Sequence, residues 1–215
     1  MDLKTVNIEV VSDFACPWCL VGKRRLEKAL ERLPDMNIKL NWRPFQLNPD
    51  MPREGRNRRD YYRDKFGEER LKDLRVALDS AGAGEGIVFC DEPGAMAPNT
   101  LSAHTLMFWA STDGNIDSNA LAEKLFHAHH VACENIGDHG VLVRIAGEAG
   151  MDEVDVLAKL AAGDDEDTIK GQIHQAVVQG ITGVPFFIIN NQYGLSGAQP
   201  SETLVSAIST ATKKR

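Results

Sequence analysis

The chain is 215 residues long, 43% hydrophobic and 26% charged, with a formal net charge of −7. A chain of this length buries a substantial core and fits one domain or a domain carrying a large insertion, as a soluble globular protein. The acidic balance argues against nucleic acid or an anionic membrane as the main partner, since both reward net positive charge.

No apolar run approaches the length needed to span a bilayer. The start, Met1-Asp2-Leu3-Lys4-Thr5, lacks the basic stretch, continuous apolar run and small-residue cleavage site of a secretory leader. The expected compartment is the cytoplasm, where thiols are kept reduced.

Val6, Ile8 and Val10 alternate with polar residues and run into Val11, which predicts a strand, while Leu20, Leu26 and Leu30 form the stripe of a helix that fades near residues 33–35. Between them stands Asp13-Phe14-Ala15-Cys16-Pro17-Trp18-Cys19. Pro17 suits the first helical position, where its missing N–H costs nothing, and this makes Cys16 the N-cap residue. Free amides and the positive end of the helix dipole favour a thiolate there; cysteine pKa values in such settings fall from about 8.5 to roughly 3.5–7.5. Cys19, three residues on and on the same face, is placed to close a disulfide and release a mixed disulfide. A Cys-x-x-Cys is also half of a zinc site, but the completing pair is missing, because Cys90 and Cys133 stand far from each other in the sequence. No metal is expected.

Ile38, Leu40 and Trp42 give a second strand ending around residues 45–47, so that the first three elements form a βαβ unit with parallel strands and a right-handed crossover. Pro49 and Pro52 then stop regular structure. From about residue 57 to 180 the pattern predicts consecutive short helices and no further strand. Leu71, Leu74 and Leu78 make one stripe, Leu101, Thr105, Phe108 and Trp109 another, and Leu121, Leu125 and Phe126 a third. Asp138, Asp152 and Asp165 read as N-caps of three more helices, closed by Gly150, Gly163 and Gly180. Residues 82–98, rich in Gly and Pro, read as a loop carrying Cys90. The basic run of residues 53–63 is broken by Glu54 and Asp60 and reads as a solvated face.

His127 and His130 share a helix face with Glu123, and His129 and Cys133 offer a second pairing; neither set shows a closing metal ligand, so half-buried, hydrogen-bonded histidines are the favoured reading. Cys90 and Cys133 are expected to be unpaired thiols without a catalytic role, given their separation and a reducing compartment.

Residues 184–189 are a dense β-type run, Asn190-Asn191-Gln192 is turn chemistry, and residues 193–196 return as a hairpin before a last helix over 202–211 with Ser201 as its cap. The fold class is therefore α/β, with β-α-β and β-β-α parts that close into one sheet if the helical region is an insertion.

Cys16-Pro17-Trp18-Cys19 after a first strand, Gly22-Lys23-Arg24-Arg25, Trp42-Arg43-Pro44-Phe45-Gln46-Leu47-Asn48-Pro49, Asn99-Thr100-Leu101 with Ala103-His104, Gly183-Val184-Pro185-Phe186 and Ser196-Gly197-Ala198-Gln199 occur in that order. The set resembles the DsbA-like branch of the thioredoxin superfamily over nearly the whole chain, and within it the FrnE-type group related to 2-hydroxychromene-2-carboxylate isomerase and kappa-class glutathione transferase. The resemblance implies a thioredoxin-like fold in residues 1–50 and 165–215, interrupted by an all-helical insertion over residues 51–164. It implies a thiol–disulfide oxidoreductase with Cys16 as nucleophile, Cys19 as resolving thiol and Pro185 as a cis-proline facing them. Substrate would lie against Pro17, Trp18, Val184, Gly197, Ala198 and His104. Protein or glutathione thiols and disulfides are the implied partners, with no resident cofactor and glutathione as a candidate co-substrate. A glutathione-dependent isomerase or transferase is the alternative; those relatives typically carry Ser where this chain has Cys16.

Overall fold

The computed structural model describes residues 4–213; Met1, Asp2 and Leu3, at the start read as leaderless, lie outside them. Strand β1 (Lys4–Ser12) lies between β2 (Met36–Pro44) and β5 (Phe186–Ile189), and β6 (Tyr193–Ser196) completes a four-stranded sheet in the order β2-β1-β5-β6. β1 and β2 run parallel with Val6 opposite Ile38 and Val10 opposite Trp42, whereas β5 is antiparallel to β1 with Phe187 opposite Val10. The β5–β6 hairpin turns at Asn190 and Asn191, both at positive φ (51° and 55°), which Asn tolerates and which matches the right-handed twist of the strands.

The period-2 pattern of β1 buries Val6, Ile8 and Val10 against Leu26 and Ala29 of α1 (Pro17–Glu31) and Leu204 and Ile208 of α9 (Ser201–Lys213). On the opposite face Val11 and Phe45 meet Ala176 and Ile181. Seven helices follow the βαβ unit: α2 (Arg58–Phe66), α3 (Glu68–Gly84), α4 (Leu101–Thr112), α5 (Ser118–His130), α6 (His139–Glu148), α7 (Glu153–Ala162) and α8 (Glu166–Val178). Their core, including Leu106, Leu121, Leu125, Phe126, Leu142 and Ile145, is continuous with Phe14, Cys16, Cys19 and Leu20. The cysteine pair therefore sits on the seam between sheet and helices.

Several details depart from the sequence reading. Short strands β3 (Arg56–Asn57) and β4 (Met96–Ala97) pair antiparallel within the region expected to lack strands; two residues are too few to show a period. Helix α3 runs on to Gly84, into the stretch read as loop. Asp138 and Asp152 do cap α6 and α7, accepting from Val141 N–H and from Val154 and Asp155 N–H; Asp165 stands at the N-cap position of α8 as expected, but its side chain makes no cap bond. It adopts φ 61°, and its carboxylate accepts the indole N–H of Trp109 at 2.7 Å instead.

The largest correction concerns Cys90 and Cys133, which form a disulfide with Cα atoms 5.7 Å apart and are not the unpaired thiols expected. After α3 the chain doubles back: Ile87 N–H bonds to Gly82 C=O, the Phe89 ring occupies the space where a Gly82 side chain would be, and Cys90 N–H donates to His130 C=O at 2.8 Å. Beyond α5, Glu134 N–H returns to Ala128 C=O and Cys133 takes φ 59°, which turns its side chain toward Cys90. Neither return is encoded by sequence spacing.

Candidate active site

The Asp13 side chain sets the turn from β1 into α1. Its Oδ1 accepts from Ala15 N–H at 3.2 Å and its Oδ2 from Leu47 N–H at 2.7 Å, while Cys16 N–H donates to Asp13 C=O at 3.0 Å. Cys16 then stands at the N-cap with φ −91° and ψ 111°, Pro17 follows as the first helical residue, and Cys19 N–H bonds to Cys16 C=O at 3.0 Å. No side-chain bond ties Cys16 to the helix amides, and its sulfur faces the carbonyl of Val184 at 3.6 Å.

Both thiols are free and largely covered, Cys16 4% and Cys19 2% exposed. Burial pushes the Cys19 thiol well above its ordinary range, helped by its hydrogen bond toward the Cys16 sulfur; the Ser12 hydroxyl and Asp13 backbone act in the opposite direction. In the reduced pair the proton is thus held on Cys19.

Opposite the pair, the Val184–Pro185 bond is cis. Pro185 is fixed from both sides: its ring rests on Gly22 of α1, and its carbonyl accepts from Gly197 N–H at 2.8 Å. Gly197, at φ 81°, bends the chain after β6, so that the Ala198 carbonyl reaches the guanidinium of Arg25 at 2.6 Å; Arg25 also pairs with Glu85 at 2.8 Å. Trp18, Val184 and Ala198, all half-buried, pack against the same core cluster as Cys16. The structure therefore gathers Pro17, Trp18, Val184, Gly197 and Ala198 around the Cys16 face. His104 lies elsewhere: its Nε2 is 3.5 Å from Asp13 Oδ1 and its ring 5.0 Å from that of Phe14, at the base of the β1–α1 turn.

Three residues at the site escape the sequence reading. Ser12 and Asp13 are 2% and 1% exposed; Ser12 lies beside Cys19 without a hydrogen bond of its own among the described residues, and Asp13 holds the turn; two successive buried polar residues at the end of an apolar strand are the available signal. Tyr62 comes from the basic stretch read as a solvated face. Its hydroxyl approaches the Ala15 carbonyl at 3.5 Å, and burial pushes it well above the ordinary phenol range. The Tyr61-Tyr62 doublet within that charged helix is the sign that one face turns inward.

The histidines of α5 hold structure together. Arg58 donates to the carbonyl of His129 at 3.0 Å and lies 3.2 Å from its Nδ1 and 3.0 Å from the Cys90 sulfur. Burial and the Arg58 charge hold His130 neutral, with its pKa pushed down to about 3, and burial, the adjacent His130 ring and the Arg58 guanidinium together disfavour a charge on His129 as well. Glu123 is engaged by Lys23 and Arg24. Among the described residues no group of three His, Cys, Asp or Glu is placed to hold a metal ion, and no helix is long and apolar enough to cross a membrane.

Residues 7–209 match the DSBA-like thioredoxin domain family. The chain belongs to the DsbA-like thioredoxin family. Among solved structures it is similar to a probable DsbA oxidoreductase from Streptomyces coelicolor, with 30% identity, a TM-score of 0.88 and coverage of 98% of this chain and 91% of that one. Its fold is also that of a 2-hydroxychromene-2-carboxylate isomerase (16% identity, TM-score 0.72, 95% of each chain) and of the cytosolic disulfide reductase DsbM from Pseudomonas aeruginosa, solved with GSH (13%, TM-score 0.62, 96% of each chain). The thioredoxin-like fold and the membership of this superfamily, both expected from the ordered motifs, are thereby established.

Proposed function

We propose that the protein is a thiol–disulfide oxidoreductase working through Cys16 and Cys19. The observation that carries this reading is the arrangement of two free, buried thiols at the start of α1, with the Cys16 sulfur facing the Val184–Pro185 loop. Cys16 thiolate attacks a substrate disulfide, forming a mixed disulfide and expelling one substrate thiolate; Cys19, having lost its proton, then attacks the Cys16 sulfur and expels the second. Two electrons pass to the substrate and the Cys16–Cys19 disulfide forms, and the reverse sequence oxidises a dithiol. Direction follows from the potential of the pair against its surroundings, where 30 mV corresponds to about 1.4 kcal/mol.

Glutathione or a protein thiol is the substrate class, laid along the Val184, Gly197 and Ala198 backbone. A resolving thiol in reach of Cys16 disfavours the isomerase or transferase alternative, whose chemistry needs no second sulfur. The cytoplasm remains the proposed compartment, and there Cys90 and Cys133 would be isolated as thiols from cells trapped with acid. The test of function is reduction of insulin disulfides by a dithiol: the protein should accelerate it, and the Cys16→Ser/Cys19→Ser protein should not. Equal rates for the two proteins would refute the reading.

A further inference from the structure

Cys19 must lose a proton before it can attack a mixed disulfide, yet it is 2% exposed and its thiol is held protonated by burial. Its polar neighbours besides Cys16 are the Ser12 hydroxyl and the Asp13 backbone. Ser12 leads away from the redox face. It lines a cavity of about 210 Å³ between the ends of β1 and β2 and helices α4 and α8, walled by Phe14, Met107, Phe108 and Ile169 together with the polar Ser111 and Gln172.

Three buried polar atoms belong to residues lining this cavity and have no hydrogen-bond partner among the described residues: Ser12 Oγ, Trp42 Nε1 and His104 Nε2. Leaving such atoms unpaired is costly, whereas a polar cavity of this size has room for several water molecules that pair them. The hydroxyl can both donate and accept, the indole only donates, and the imidazole is the one group among them that can take up a proton.

We infer that this cavity is a hydrated proton path for the resolving thiol, in which Ser12 passes the Cys19 proton through water to Nε2 of His104. When Cys19 attacks, its S–H bond breaks, the electron pair goes to the new Cys19–Cys16 bond, the proton moves to His104, and the substrate leaves as a thiolate carrying the pair from the broken mixed disulfide. The charge gained by His104 meets the Asp13 carboxylate 3.5 Å away. The Asp13 oxygens accept from Ala15 N–H and Leu47 N–H. The other charged group around the cavity, Arg43 of β2, is turned outward to Glu9 and Gln179, and α8 presents the neutral Gln172. His104 touches no reacting sulfur; it is a positioning residue that works through Ser12.

The inference rests on Cys16 as the attacking thiol, and a two-phase measurement separates the two claims. Protein reduced only at Cys16 and Cys19, checked by thiol count, is mixed with an aromatic disulfide that releases a coloured thiolate. The first release reports attack by Cys16, the second attack by Cys19. His104→Gln, which fills the space without a basic nitrogen, should leave the first phase unchanged and slow the second by about tenfold or more, with a rate that keeps climbing with pH where the wild type has levelled off. Ser12→Ala should slow the same phase. A second phase unchanged in both variants across pH 6–9 overturns the path. Loss of the first phase in the wild type would instead overturn Cys16 as nucleophile, and equal slowing of both phases would assign His104 to packing.

Discussion

Gly22 of α1 and the ring of Pro185 are in direct contact: a Cβ on Gly22 would fall 2.8 Å from Pro185 Cγ and 3.3 Å from the Phe187 ring. A glycine inside a helix gives up about 1 kcal/mol against alanine, and here the absence of a side chain lets the proline loop lie close against the helix that carries both cysteines. The distance from Cys16 Sγ to the Val184 carbonyl depends on that fit.

Gly22→Ala should therefore fail to stabilise the protein despite its better helix propensity. Overpacking of this kind costs about 1–3 kcal/mol, and the displaced loop should lower the rate of disulfide exchange several-fold. Thermal unfolding and insulin reduction, measured on the same variant, check both halves.

The α5 histidines make stability depend on acid. His130, with a pKa of about 3 in the folded chain, and His129, also lowered, stay neutral when folded but charge near 6.5 once unfolded. Their depressed values mean no penalty above pH 6.5 and a loss as the pH falls toward 3, of about 1.4 kcal/mol per pH unit for each histidine. Melting temperatures from pH 7.5 to 4.5 should fall steeply below 6.5, and His130→Phe should flatten that slope.

Removing the Cys90–Cys133 bridge should destabilise the oxidised protein without disabling it. The two cysteines are 43 residues apart in sequence, and closing a loop of that length constrains the unfolded chain by about 3–4 kcal/mol. Cys133→Ser should lose that much in denaturant midpoint analysis and retain insulin reduction, because the bridge ties the turn after α3 to the end of α5 and the Cys90 sulfur's hydrogen-bond partners are Arg58 and the His129 carbonyl, neither of them a redox thiol.

The Trp109–Asp165 bond predicts a graded series. Asp165→Asn keeps an acceptor and tolerates the positive φ, so its stability should stay close to the wild type, whereas Asp165→Ala leaves the indole N–H unpaired in a strained backbone position and should lose about 1–3 kcal/mol.

Much of this architecture is legible in the chain because it is local. Period-2 runs in β1 and β2, the Pro17 helix start, the Asn190-Asn191 turn and the Asp138 and Asp152 caps each state their geometry within a few residues. The features that escape are set by distant partners. Cys133 meets Cys90 only after two chain reversals, Asp165 forgoes its cap bond for an indole from α4, and Tyr62 turns inward because the β1–α1 turn lies beneath α2. The site divides in the same way: Cys16, Cys19 and Pro185 are carried by short motifs, while the cavity behind Ser12 exists only where β2, α4 and α8 come together.

The central claim, attack by Cys16 and resolution by Cys19, is tested most directly by intact mass measurement of the two single variants after exposure to oxidised glutathione. Cys19→Ser should accumulate one glutathionyl group, mapped to Cys16, because no second thiol can expel it. Cys16→Ser should acquire none, since its remaining thiol is buried and held protonated. A glutathionyl group on Cys19 in the Cys16→Ser protein, formed as fast as the adduct on Cys16, would contradict the assignment.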